Sequence, residues 1–261
     1  MSPDPADVMD ALSAYQAELN RRIPGFDGLV APDVVLASIG LPVARANSAN
    51  AARFTATSAD ARIGDVIAWF EARGLPFAWH AGPADRPDDL RRRLVDRGFV
   101  LGPDEMPGMV ARLDALPRLE MPAGATLERV GDLPTFREWL DVVVAGFGMP
   151  AMMGEAFMRF GGLGFGPGMP ELLLARLDGR PVAVALAAVA GGGLIISNVT
   201  TLPDARGRGL GRAVTLAAMH HGAAAGVPVA VLQATEMGRG IYQRLGFEDF
   251  GWYGTLTWEG R

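Results

Sequence analysis

The chain has 261 residues and a formal net charge of −5, with 49% hydrophobic and 20% charged residues, a composition that gives one large or two modest globular domains and excludes a disordered or fibrous chain. It contains no cysteine, which excludes disulfides, thiolate metal sites and a cysteine nucleophile, and no metal is expected. The acidic balance argues against nucleic acid as a partner, while the absence of a signal-like start or of a long apolar run predicts a cytoplasmic protein that does not engage a membrane.

In chain order, Val8, Leu12, Tyr15 and Leu19 share a helical face and predict an opening helix over Asp7 to Arg22. Short apolar runs at Val34 to Ile39 and Phe77 to His80 read as strands around a helix from Ala59 to Arg73, and a further helix from Asp88 to Arg97 leads into Gly98-Phe99. The stretch from Leu116 to Thr126 has two prolines, a glycine and little periodicity, which makes it the candidate linker. Two domains are expected, 1–118 and 125–261.

Past the linker, a strand over Thr126 to Val130 precedes a helix capped by Asp132, and a second short helix runs from Ala151 to Phe160. The Gly- and Pro-rich stretch Gly161 to Pro170 reads as a loop. Asp178-Gly179 between Glu171 to Leu177 and Pro181 to Val189 is a hairpin signal, and Leu194 to Thr201 adds a third strand. Helix, strand and helix follow over Gly209 to Ala225, Val227 to Ala234 and Gly238 to Leu245, before a last strand, Trp252 to Trp258. Hairpin strands with one crossover unit predict an α/β layered domain with a mixed sheet. A faint internal repeat aligns Gly74-Leu75-Pro76-Phe77 with Gly226-Val227-Pro228-Val229, and Arg97-Gly98-Phe99 with Leu245-Gly246-Phe247, which suggests a common architecture for the halves.

The stretch Leu194 to Val214 runs from a strand through a turn into a glycine-rich helix entry. Gly207, Gly209 and Gly211 let backbone N–H groups turn towards a ligand, the helix start adds partial positive charge, and Arg206, Arg208 and Arg212 add formal charge, so a pyrophosphate is a natural guest. Two common phosphate loops do not fit. All 24 basic residues are arginine, so the Walker lysine is missing, and the glycine spacing breaks the dinucleotide pattern. What remains is R-x-x-G-x-G, Arg206, Gly209 and Gly211.

These residues resemble the GNAT superfamily of acyl-CoA-dependent N-acyltransferases over residues about 125 to 258. The resemblance implies a mixed, mostly antiparallel sheet flanked by helices, with acetyl-CoA as cosubstrate. It implies that Gly207 to Arg212, including Leu210, hold the pyrophosphate together with Arg206, and that Val199 and Thr201 offer backbone groups to the pantetheine arm. A second signature, an aromatic-rich helix ending in Gly246-Phe247, implies that Tyr242 is the general acid for the departing thiolate.

Two positions depart from the family pattern. Thr235 stands where many relatives carry an asparagine that bonds the cofactor arm, and Ser197-Asn198 stand where many carry a basic carboxylate. Glu155, Glu236 and His220 are unranked alternatives for the base, each with a surface or packing role as its simpler explanation. The first half has Leu94 where Tyr242 stands and no R-x-x-G-x-G, so it resembles a degenerate GNAT-like domain, with His80 structural. The expected function is direct acetyl transfer to a small-molecule amine by a monomer or homodimer. The Met and Phe content of Met149 to Phe165 suggests a partly apolar acceptor wall. The alternative is an acyl-CoA-binding regulatory module that kept the fold and lost turnover.

Overall fold

A computed structural model describes residues 2–260. In chain order the elements are α1 (Pro5–Asn20), β1 (Asp27–Ala31), β2 (Val34–Ser38), β3 (Asn47–Asn50), α2 (Ala59–Glu71), β4 (Phe77–Ala81), α3 (Leu90–Asp96) and β5 (Val100–Arg112). They continue with β6 (Ala125–Arg129), α4 (Leu133–Phe147), α5 (Ala151–Phe157), β7 (Glu171–Leu177), β8 (Arg180–Ala190), β9 (Gly193–Thr201), α6 (Leu210–Ala224), β10 (Val229–Gln233), α7 (Glu236–Gln243) and β11 (Glu248–Trp258). No helix among the described residues is long and apolar enough to cross a membrane.

The chain divides into two compact units, one of Met9–Gly108 with residues 250–260, the other of residues 2–8 with Met109–Asp249. They are called the N-terminal and C-terminal units below. Their limits differ from a division near residue 120, because β5 ends in the C-terminal unit and β11 ends in the N-terminal one. Gly254 to Trp258 pair antiparallel with Ala81 to Phe77 of β4, and Leu256 and Trp258 are buried with Phe77, Trp79 and Phe99. Which neighbour a strand chooses is a non-local matter, so residue order alone hides this exchange.

In the N-terminal unit the strand order is β1-β2-β3-β4-β11. The first three strands are antiparallel neighbours, β3 and β4 are parallel across the α2 crossover, and β4 and β11 are antiparallel. Ile63, Val66 and Phe70 of α2 pack with Leu90 and Leu94 of α3 on the sheet's aromatic residues, where Phe70 stacks on Phe77 with ring centroids 4.1 Å apart. Strands β1, β3 and β5 were not expected from the sequence. The polar β3, Asn-Ser-Ala-Asn, is held by its own side chains: buried Asn47 donates to the carbonyls of Leu41, Val43 and Pro76 and accepts from the Ser38 hydroxyl.

In the C-terminal unit the order is β6-β7-β8-β9-β10-β5, with β6 to β9 antiparallel and β9 parallel to β10. The strand period of two sorts its core. Leu173, Ala175, Ala183, Ala185 and Ala187 face the cluster that includes α6, whereas Leu174 and Val184 face Phe136, Trp139 and Val143 of α4. Asp178 and Gly179 have φ of 51° and 82°, the pair of left-handed residues that a two-residue hairpin of matching twist requires. Asp132 caps α4 by accepting from the Thr135 backbone N–H at 2.8 Å. The path β3-α2-β4-α3 of one unit repeats as β9-α6-β10-α7 of the other, so the common architecture suggested by the Gly-Phe repeat is present, as is the mixed, mostly antiparallel sheet flanked by helices.

Candidate functional site

The site begins with backbone. Strands β9 and β10 pair at Leu194–Ala230 and Ile195–Val231, yet β9 runs on to Thr201. Beyond Ile195 its β10-facing N–H and C=O groups therefore lack that partner, and buried backbone polar groups demand one. On its other side β9 carries an irregularity. The register with β8 steps from Leu186–Ser197 to Val184–Thr200, and Asn198 inside that step has φ 52°. A left-handed residue other than glycine stores strain, and this bulge re-aims the strand next to its unpaired edge. No local sequence signal marks Asn198 for this bulge, since in the sequence it stands out only where related chains carry a carboxylate.

Gly207 and Gly209 follow β9 with φ of 76° and 82°, conformations that cost an L-residue strain and glycine nothing. Gly209 is the N-cap of α6 and no side chain caps this helix, so its first N–H groups are available to an anion. Gly211 is different. It lies within the helix, and a Cβ there would make ordinary contacts, 3.5 Å to Thr201 Oγ1 and 3.8 Å to Ile241 Cδ1. Leu210 is 1% exposed, so it can offer only its backbone. Arg206 donates from Nε to the Thr201 carbonyl at 3.0 Å, which engages a group that the resemblance left for the pantetheine arm and shapes the loop instead. Arg206, Arg208 and Arg212 carry no ion pair among the described residues, while the nearby Asp204 carboxylate is taken by Arg180.

Tyr242 lies on α7, 7% exposed, in edge contact with Phe247 at 5.9 Å between centroids. Burial pushes its phenol up to about 12, so it is protonated at neutral pH. The ring folds back along the helix, as long helical side chains do: a Cβ on Gly238 would sit 3.0 Å from Tyr242 Cε2 and 3.4 Å from Thr235 Oγ1. Thr235, Gly238 and Tyr242 thus share one face. Thr235 is the N-cap of α7 and its hydroxyl accepts from the Gly238 N–H at 3.3 Å. That employs its acceptor and leaves its proton for a second partner.

The structure separates the three base candidates. Glu155 is exposed and paired with Arg137 at 2.7 Å, and that guanidinium holds its carboxyl below the ordinary range, which weakens it as a base. His220 lies on α6, about 16 Å along the helix from Gly209 at 1.5 Å per residue, with Nε2 3.0 Å from the Pro117 carbonyl, a packing contact that sets it aside as a base. Glu236 is exposed in the first turn of α7, about 120° around the helix from Tyr242 at 3.6 residues per turn. Thr200 brings α4 close to β9, since a Cβ on Gly146 would lie 2.3 Å from Thr200 Oγ1. From there the chain leads into half-buried Met149, Phe157, Met158, Phe160 and Phe165, with Phe147 and Met152 more exposed at 44% and 45%.

Residues 170–249 match the family model described as Acetyltransferase (GNAT) domain. Among solved structures the chain resembles a GCN5-related N-acetyltransferase from Kribbella flavida, with 22% identity, 96% of this chain and 95% of that one covered, and a TM-score of 0.73. A GCN5-related N-acetyltransferase from Sphaerobacter thermophilus shares 18% identity over 98% and 94% of the two chains, with a TM-score of 0.63. A tandem GNAT protein from the clavulanic acid biosynthesis pathway shares 15% identity over 100% and 98%, with a TM-score of 0.61. No curated protein matches the sequence. Residues 170–249, within the C-terminal unit, thus match the model of a GNAT domain, and the whole chain shares the fold of these solved structures, a tandem one among them.

Proposed function

We propose that the protein is an acetyl-CoA-dependent N-acetyltransferase that acts directly on a small-molecule amine. One observation carries this reading: an uncapped helix start with left-handed Gly207 and Gly209 stands at the end of a strand whose pairing with β10 has stopped. Backbone N–H groups of the loop, with Arg208 and Arg212, would hold the pyrophosphate. Val199 and its neighbours on β9 would hold the pantetheine arm by backbone bonds, and the Thr235 hydroxyl has a proton left for the same arm. Acetyl-CoA supplies a thioester; the rest of the chemistry belongs to the amine and to this chain.

The ammonium form of the amine gives up one proton to water or a base, its neutral nitrogen attacks the thioester carbonyl carbon, and the nitrogen sheds a second proton as the amide forms. The C–N bond forms, the C–S bond breaks, and the sulfur leaves with the electron pair and takes the Tyr242 proton. With burial pushing Tyr242 up to about 12 and a free thiol near ~8.5, transfer to a fully formed thiolate is uphill. The proton therefore moves while charge is still developing on sulfur, and the phenol is restored by the second proton that the nitrogen sheds, while the first is released to solvent. The Met- and Phe-lined surface between Met149 and Phe165 gives the acceptor an apolar flank.

The test is thiol release from acetyl-CoA with a panel of amines that spans aromatic, alkyl, polycationic and sugar amines. Turnover with at least one amine, with the acetylated amine identified by mass, is the expected result. Tight acetyl-CoA binding with no thiol release for any amine would sink the enzyme reading and leave an acyl-CoA-binding module.

A further inference from the structure

The segment from Leu113 to Pro122, which takes in the first part of the candidate linker Leu116 to Thr126, is bound along a helix. At its start, the Leu113 N–H donates to the Pro228 carbonyl at 3.0 Å, and a Cβ on Gly222 of α6 would lie 3.0 Å from Leu113 Cδ1. Further on, the Pro117 carbonyl meets His220 Nε2 at 3.0 Å. Leu116, Leu119 and Met121 pack half-buried on the core cluster that contains Leu210, Val214 and Ala217 of α6. At its end Pro122 Cγ would be 3.7 Å from a Cβ on Gly209. There the Ala125 N–H donates to the Pro122 carbonyl at 2.9 Å and the Asp178 N–H to the Gly124 carbonyl at 3.0 Å.

Its contacts on α6 thus run from Gly222 through His220 to Gly209, opposite to the helix direction. From Gly222 to Gly209 the helix covers about 20 Å, whereas the chain from Leu113 to Pro122 could reach about 30 Å if extended. The strap is therefore not taut, and its position is set by contacts. Its last contact is at a glycine that has no side-chain cap to fix it.

We infer that Leu113 to Pro122 is a positioning strap for the pyrophosphate site, with Pro122 backing Gly209 so that the α6 entry is ordered before an anion arrives. This rests on the phosphate-loop reading above. An ordered loop spares a ligand the entropy of fixing backbone and side chains, and the effect belongs to donors that carry a pyrophosphate. Pro122→Gly removes the ring and loosens the chain, while His220→Leu removes the bond to Pro117 about 16 Å from the loop.

Both variants are measured against wild type for acetyl-CoA affinity by calorimetry. Thiol release is followed with acetyl-CoA and with S-acetylpantetheine, which lacks the pyrophosphate, using the best amine of the panel. Acetyl-CoA affinity should fall about three- to tenfold, from the loss of one or a few immobilised groups, with turnover at saturation and the kinetics of S-acetylpantetheine unchanged. Unchanged acetyl-CoA affinity in both variants overturns the strap, and so does an equal loss with both donors, which is general destabilisation. Gly209→Val separates this from the reading beneath it. If that variant binds acetyl-CoA like wild type, the phosphate loop itself is misassigned; if it does not bind while both strap variants bind normally, the strap alone fails.

Discussion

The two helix entries, one in each unit, follow corresponding strands and lead to corresponding helices, yet they are built from opposite chemistry. Before α6 the chain offers two left-handed glycines, no side-chain cap and arginines that form no ion pair among the described residues. Before α2 it offers Thr55-Ala56-Thr57-Ser58, in which the Thr55 N–H donates to Ser58 Oγ and the Ser58 N–H to Thr55 Oγ1, each at 3.1 Å. That entry spends donors on itself. Its first turn also carries Asp60, which pairs with Arg93 at 2.8 Å, and whose carbonyl accepts from Arg97. A carboxylate at a helix start suits the helix dipole and repels an anion. On the following helix, Leu94 is fully buried in the core where the other unit carries Tyr242. Topology was kept in the N-terminal unit, while the polar chemistry of the entry and of the next helix was turned inwards.

The largest effect should come from closing the open entry. Gly209→Val combines a β-branched side chain with φ 82°, a conformation that such residues essentially avoid, and it places that side chain against Pro122. Acetyl-CoA affinity should drop by about a hundredfold or more, the product of strain of a few kcal/mol and lost backbone bonds. Calorimetry on wild type should give one coenzyme A per chain, because only one entry is open. A ratio of two would break the comparison between the units at its root.

Tyr242→Phe comes next and probes the helix after the entry. The phenol is proposed to act on the leaving group, so its loss counts in the transition state and little in the ground state. Turnover at saturation should fall about ten- to a thousandfold, the usual worth of one general acid with water as a partial substitute. Acetyl-CoA affinity should stay within about twofold of wild type. A loss confined to the Michaelis constant would make Tyr242 a binding residue, and full activity would return this helix to the purely structural role of its Leu94 counterpart.

Much of the open unit was legible from sequence because its signals are local. Asp178-Gly179 demanded a two-residue turn, Asp132 demanded a cap, and the spacing of Arg206, Gly209 and Gly211 on a strand-to-helix path pointed to an anion. The bulge at Asn198 was not legible, since a left-handed asparagine inside a strand is imposed by a register step against β8. Thr235 could be placed beside the cofactor arm but not seen as a helix cap. The N-terminal unit was harder still. Its β3 is polar, β5 contains Pro103 and Pro107 that argue against a strand, and its last strand arrives from the far end of the chain.

A smaller effect, confined to stability, should come from Asp85 in the N-terminal unit. This carboxylate is 8% exposed, accepts from the Ala52 and Gly82 N–H groups at 2.9 Å each, and lies 3.7 Å from Arg53. Burial pushes it up to about 7, aided by Asp10 and opposed by the Gly82 and Ala52 amides and by Arg53. A folded value raised above the unfolded one means that the folded state holds more protons between about 4 and 7. Its contribution to stability is therefore full below about 4 and is lost as pH rises through 7. Asp85→Asn removes this titration, so the decline of Tm with rising pH across that window should flatten by a few degrees, at about 2–4 °C per kcal/mol for a chain of this size. Acetyl-CoA affinity should not change. An unchanged pH profile of Tm would show that the carboxylate does not titrate there.

The smallest effect is expected at Gly211, and it tests why the open entry is open. If the loop needed bare backbone at every glycine, Gly211→Ala would be as harmful as a change at Gly209. The geometry separates the two positions. Gly211 is inside α6 rather than left-handed, and an added Cβ would make only ordinary contacts with Thr201 and Ile241. Its carbonyl also stays bonded, since the Thr215 hydroxyl donates to it at 2.8 Å. Alanine raises helix propensity by about 1 kcal/mol over glycine, which offsets slight crowding. Acetyl-CoA affinity should remain within about threefold and Tm should hold or rise, both readable by calorimetry. A loss comparable to that of Gly209→Val would mean that the ligand packs directly on the Cα of Gly211. The contrast with the Thr-Ala-Thr-Ser entry would then lie in side-chain volume along the whole helix start and not in the left-handed backbone before it.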